Sequence, residues 1–237
     1  MNKNKAESKK ENYLAQPTSN NNNTSPTFCV AMLKNGSTLK VEGKVEELLP
    51  TIKDADFAWV NVQVDNLKEE GSKVAAILGF KPSIIDELVA QRFSGYDDQT
   101  TELGLLLPAV KVRQLDVEVN KLIILIKRNI IVTIHGERVT RLVKFARYAV
   151  TSFKKIPRNL EDVDKISLVL IRILDENNER NFDGIRSIQE QGEGISRYLI
   201  ETTGFRKELG SDIYKMKHAL ISYLEALWAS LDVIHCL

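Results

Sequence analysis

Trp59-Val-Asn-Val62, Gly79-Phe-Lys-Pro-Ser-Ile-Ile-Asp-Glu-Leu88, Arg92 and Tyr96-Asp-Asp98 succeed one another within residues 59–135, and this stretch decides the fold. Residues 57–64 are β-branched and aromatic, which suits a buried strand. Asp65 or Asn66 then caps a short helix bearing Leu67, Val74 and Leu78, and Gly79 supplies the left-handed residue that ends it. Pro82 opens a second helix, where its missing N–H would have had no partner in any case. Residues 100–112 and 117–126 read as strands, and Lys127-Arg-Asn129 turns the second tightly into a strand over 130–134. Pro108 removes a ladder donor, so its strand is expected at an edge or bulged there. Asp97-Asp98 reads as a turn between strands, and Trp59 and Tyr96 as core and rim aromatics.

Outward from this stretch, residues 1–26 are rich in Asn, Lys, Ser and Thr, with the run Asn20-Asn-Asn-Asn23. They carry too little apolar surface to offset the entropy of ordering, so a disordered tail is expected. Residues 28–33 and 38–41 flank Asn35-Gly36 and predict a hairpin, with a short helix over 45–49 after it. Beyond His135 the pattern is helical: one helix over 139–153, a break at Pro157, and a second from Val163 with Ile166, Val169, Leu170, Ile173 and Leu174 on its apolar face. Gly192 and Gly194 are expected to interrupt the helical segment after that one. The last segment spaces Leu209, Ile213, Met216, Leu220, Tyr223, Leu227, Leu231 and Ile234 close to a heptad. A helix of about 30 residues is about 45 Å long, and one whose apolar seam is still running at Leu237 reads as a boundary rather than a natural end.

The 237 residues hold 33 Lys and Arg against 32 Asp and Glu, a net charge of +1. Nothing in this balance draws the whole chain to nucleic acid or an anionic membrane, and any such partner needs a local patch. Cys29 and Cys236 lie at opposite ends, which fits a reducing compartment better than a disulfide framework. There is no secretory signal pattern, and no run approaches the roughly 18 consecutive apolar residues of a spanning helix.

The order of Trp-bearing strand, helix, Gly-x-x-Pro-x-x-x-acidic-acidic-Leu segment and long C-terminal helix resembles the cytoplasmic domain of the CorA family of magnesium and cobalt transporters. The resemblance covers residues 27–237. It implies an α/β fold of the α+β type, with a mixed β-sheet flanked by helices, a long antiparallel helical pair and a stalk helix. The corresponding division is a tail at 1–26, a regulatory domain at 27–158 and helices at 159–237. It implies further that this is a non-enzymatic metal-sensing and gating domain, on the cytoplasmic side of the inner membrane, belonging to a homopentameric channel for Mg²⁺ and for Co²⁺ or Ni²⁺. The membrane is reached only through C-terminal helices that this sequence lacks, as it lacks the family's Gly-Met-Asn. By the same resemblance, Asp86 and Glu87, with Asp175, are metal ligands between identical subunits. Hard cations favour carboxylate and water oxygens, and bound ions would hold the closed arrangement by offsetting repulsion between acidic faces. A zinc-transporting relative such as ZntB shares the architecture, so Zn²⁺ stands as an alternative ion.

Without the resemblance, Asp86 and Glu87 read as first-turn acids complementing a helix dipole. The cluster Asp175, Glu176, Asn177, Asn178, Glu179 reads as a solvated helix face. Arg138, Arg141, Lys144, Arg147, Lys154, Lys155 and Arg158 form a basic stripe that suits phosphate, nucleic acid or lipid, though no aromatic platform accompanies it and a solvated or intersubunit face is favoured. The three histidines show no ligand spacing, and no nucleophile elbow, phosphate loop or dinucleotide fingerprint is present. Two other classes remain open: a stand-alone oligomerising scaffold using the 209–234 seam, and a metal-dependent phosphohydrolase using Asp86, Glu87, Asp97 and Asp98.

Overall fold

A computed structural model describes residues 27–201 and 207–237; the N-terminal tail expected to be disordered lies outside them. In chain order the elements are β1 (Phe28–Leu33), β2 (Thr38–Glu42), α1 (Val45–Asp54), β3 (Ala55–Gln63), α2 (Glu69–Ile77), α3 (Ser83–Ala90) and β4 (Gly95–Asp98). They continue with β5 (Leu103–Arg113), β6 (Asp116–Lys127), β7 (Ile130–His135), α4 (Val143–Lys154), α5 (Asp162–Asn178), α6 (Asn181–Glu201) and α7 (Lys207–Cys236).

The strands make one seven-stranded sheet in the order β2-β1-β3-β7-β6-β5-β4. Every pairing is antiparallel except that of β3 with β7, so the sheet is mixed, as expected. Alternate residues point to opposite faces. On one face Phe57, Trp59, Leu105, Leu122, Ile124 and Ile131 meet Phe145, Ala149 and Phe153 of α4 and Val169 and Ile173 of α5. On the other, Val60, Val62, Leu106, Ile123, Val132 and Ile134 meet α1, α2 and α3. The central strands are therefore covered on both sides, which is why β7 reads as an almost unbroken apolar run.

Trp59 sits fully buried at the heart of the first face. Its ring stacks on Phe145 at 4.6 Å and meets the edge of Phe28 at 5.0 Å, and its Nε1–H donates to Thr133 Oγ1 at 3.0 Å. Thr133 in turn donates to Asn61 Oδ1 at 2.9 Å. His135 closes this buried row, and burial holds its imidazole below the ordinary histidine range.

Two expectations need correction. Asp97 and Asp98 are not simply a turn: with Gly95 and Tyr96 they form the edge strand β4, paired to β5 over Leu103–Leu106. Asp98 nevertheless caps the turn after it, since its Oδ1 accepts the N–H of Thr100 at 3.1 Å. Gly192 and Gly194 do not interrupt α6, which runs through both; Gly184 and Gly192 let α7 approach, their absent Cβ atoms leaving room for Tyr223 and Met216. Because 184 meets 223 while 192 meets 216, α6 and α7 run antiparallel. The apolar seam of α7 divides: Tyr223 is buried and Leu227 packs beside it, whereas Ile213, Leu220, Leu231 and Ile234 are exposed, and Ala219, Ala226, Ala229, Ser230 and Val233 complete the buried face. Small residues win because the helix lies against a sheet and another helix at close range. The expectation that no uninterrupted apolar run of spanning length is present holds for α7; by length and composition alone Leu209–Cys236 is apolar enough to cross a membrane, and about a third of its most apolar window is buried.

The expectation for Pro108 holds locally. β4 ends its pairing at Leu106, so beyond it β5 has a free edge, and there the Pro108 carbonyl accepts Asn177 Nδ2–H at 3.0 Å.

Candidate functional site

The segment that presents the acidic pair is fixed from both ends. Asn66 Oδ1 accepts the N–H groups of Lys68 and Glu69 at 3.0 and 3.2 Å, capping α2 as expected. At its far end Gly79 adopts φ +81°, a conformation that favours glycine, and the Phe80 N–H returns to the Ala75 carbonyl at 2.8 Å.

Residues 79–81 are then tied to the sheet by a buried carboxylate. Glu102 is 4% exposed; its Oε2 accepts the Lys81 N–H at 2.9 Å and its Oε1 accepts Lys127 Nζ at 2.7 Å. Lys127 also donates to the Gly79 carbonyl at 2.6 Å. Burial works to raise the Glu102 pKa, but the Lys127 and Lys81 contacts outweigh it and hold the carboxyl below its ordinary value. Sequence reasoning misses Glu102, because one charged residue ahead of an apolar strand carries no signature of burial.

α3 comes next, with Ile84, Ile85 and Leu88 in the core and Asp86 and Glu87 facing solvent. Gly104 makes this close docking feasible: a Cβ there would lie 2.7 Å from Ile84 Cδ1 and 2.9 Å from Leu88 Cδ1. Glu87 borders a groove of about 280 Å³, lined also by Leu88, Gln91, Gly95, Tyr96 and Asp97. The fold thus brings Asp97, read from sequence as a turn residue, into the same groove as Glu87; only the pairing of β4 with β5 reveals this. Asp97 Oδ2 accepts Gln99 Nε2 at 2.8 Å, which orients it.

Asp175 is placed differently. It is exposed on α5, the helix that covers the sheet face opposite to α3. The three expected ligands therefore do not converge within one chain, and among the described residues no three His, Cys, Asp or Glu side chains form a metal-binding group. What each face offers is oxygen donors open to water, the donor type that suits Mg²⁺ retaining part of its hydration shell. A direct tie joins this region to the last helix: Arg92, just past α3, lies 3.6 Å from Glu225 of α7.

Comparison with known proteins gives the same outline. A sequence model of the family described as CorA-like Mg2+ transporter protein matches residues 54–237, whereas no curated protein matches the sequence. The soluble domain of CorA from Methanocaldococcus jannaschii shares the fold at a TM-score of 0.65 and 17% identity, with 87% of this chain and 76% of that one covered. The complete CorA magnesium transporter from the same organism gives 0.69 at 17% identity over 90% of this chain, which spans 62% of its length. The ZntB cytoplasmic domain from Vibrio parahaemolyticus gives 0.58 at 12% identity, with 89% and 79% covered.

Proposed function

Because this chain belongs to the family of CorA-like Mg2+ transporter proteins, we propose that it is the metal-sensing, gating part of a divalent-cation channel built from identical subunits, working on the cytoplasmic side of the membrane. The observation that carries the reading is the outward presentation of Asp86 and Glu87 on an α3 helix whose approach at residues 79–81 is tied to the sheet through Glu102 and Lys127. α3 and α5 lie on opposite faces of the sheet. A site combining Asp86 or Glu87 with Asp175 thus draws on two copies, α3 of one and α5 of the next. Mg²⁺ between such faces offsets carboxylate repulsion and favours the closed assembly, and its loss frees the subunits. Movement of α3 reaches α7 through Arg92 and Glu225. The role is one of binding and movement, without a catalytic residue.

The experiment is Asp86→Ala with Glu87→Ala in the channel-bearing full-length protein. The expected outcome is a channel that stays open at magnesium levels that close the wild type; unchanged magnesium closure would overturn the assignment. The likeness to the ZntB cytoplasmic domain favours one rival reading, a zinc-transporting relative. Ion uptake by the same full-length protein, with Zn²⁺ and Mg²⁺ in competition, separates the two.

A further inference from the structure

At the far end of the β5–β6 hairpin, where residues 136–142 and the start of α6 close over it, lies an open cavity of about 410 Å³. Its charged lining is Lys111, Arg113, Arg138, Arg141 and Arg180 against one carboxylate, Asp183. These cations come from β5, the loop after β7 and the α5–α6 turn, so this is not the ordinary solvated face of one helix. Among the described residues the carboxylate paired with a member of this set is Glu118, 2.6 Å from Arg138. Asp116 stands opposite Arg113 in the β5–β6 register, so five cations facing Asp183, Glu118 and Asp116 leave two positive charges in excess.

The central cation is built in. Arg141 donates to the Val110 and Asn177 carbonyls and, at 2.9 Å, to Asn181 Oδ1. That clamps the guanidinium plane and leaves two of its five N–H groups for another acceptor. Burial lowers the Arg141 pKa, the neighbouring Tyr223 opposes this, and the charge of Arg180 adds to the lowering. Arg141 and Arg180 line the same cavity, like charges whose repulsion an anion between them relieves. Val110, Val112 and Val139 form an apolar wall beside the cations.

We propose that this cavity is an anion site for a multivalent phosphate, such as pyrophosphate or the polyphosphate chain of a nucleotide. Guanidinium forks match phosphate oxygens in pairs, two excess charges call for more than a monoanion, and the volume lies in the range of small-molecule sites. The site is separate from Asp86, Glu87 and Asp175 and does not depend on the transport reading.

The test is calorimetric titration of the 237-residue chain, at fixed ionic strength, with pyrophosphate, with ATP and with orthophosphate. In parallel, its flotation with phosphatidylinositol-phosphate vesicles is measured. The variant is Arg113→Gln with Arg180→Gln, both exposed and outside the core, so thermal unfolding is expected to match the parent. Saturable one-to-one binding of pyrophosphate or ATP, weakened about tenfold or more in the variant, supports a free phosphate ligand. Binding of the vesicles alone, lost in the variant, supports the same site with the phosphate carried by lipid. No saturable binding, equal affinity for orthophosphate, or binding indifferent to the variant overturns the proposal. So does a variant that changes the oligomeric state without any phosphate binding, because a neighbouring subunit's carboxylate would then be the occupant.

Discussion

At Glu102 one carboxylate fixes the approach to the acidic helix, because it is held between the Lys127 ammonium and the Lys81 N–H. Glu102→Gln keeps the shape and removes the charge, and it should lower stability by about 2 kcal/mol at neutral pH. The folded-state pKa lies below the ordinary value, so this contribution is present above the unfolded glutamate pKa and is lost as pH falls through the lower, folded one. Urea unfolding should therefore show a gap between parent and variant at pH 7 that closes below about pH 4; a gap persisting in acid would contradict the role. Two residues further on, Gly104→Ala places a methyl against Ile84 and Leu88. It should destabilise by about 1–3 kcal/mol, read as a lower urea midpoint with an unchanged slope. At this scale the sequence is partly legible. Asn66, Gly79 and Pro82 announce their local conformations, but Glu102 and Gly104 acquire meaning only from a partner strand and helix that sequence spacing does not identify.

Among the elements, strands with β-branched or aromatic runs are readable: β1 to β3 and the β6–β7 hairpin stand where periodicity and Asn35-Gly36 or Lys127-Arg-Asn129 put them. β4 is not, since Gly-Tyr-Asp-Asp has little intrinsic strand preference and exists as a strand because the β5 edge pairs with it. The α6–α7 pair misleads for the opposite reason. Its glycines and alanines are poor hydrophobic signals, yet they set how closely the two helices approach. The two glycine contacts should respond unequally. At Gly184 an added side chain meets the rigid ring of Tyr223, whose hydroxyl also donates to the Asn181 carbonyl; at Gly192 it meets the flexible end of Met216. Gly184→Val is therefore expected to destabilise by about 2–3 kcal/mol, and Gly192→Val by about 1 kcal/mol or less. Hydrogen exchange across α7 should rise in the first variant far more than in the second, and equal effects would mean that the helices repack freely.

For the whole molecule, α7 has two apolar sides, one against its own sheet and one open. Leu224 and Trp228 are 54% and 58% exposed, on the same side of the helix as Ile213, Ile221 and Leu231, and clustered large apolar side chains of this kind suit an interaction surface. The stripe predicts that the chain self-associates in sedimentation experiments and that Leu224→Glu with Trp228→Glu abolishes this, while shifting unfolding by no more than about 0.5 kcal/mol per site. Association unchanged by both charges would place the interface elsewhere. The placing of the candidate ligands on opposite faces is not legible in the sequence, because strand order, not spacing, decides which helix covers which side. That same strand order governs how the chain is assembled in time. The parallel pairing of β3 with β7 brings together residues such as Trp59 and Thr133 that stand 74 positions apart. A growing chain cannot complete its central seam until β7 has been made, so the earlier strands wait with unpaired edges. Folding is therefore expected to be slow and concerted rather than stepwise from the N-terminus, and a nascent chain ending before His135 is the species most exposed to aggregation.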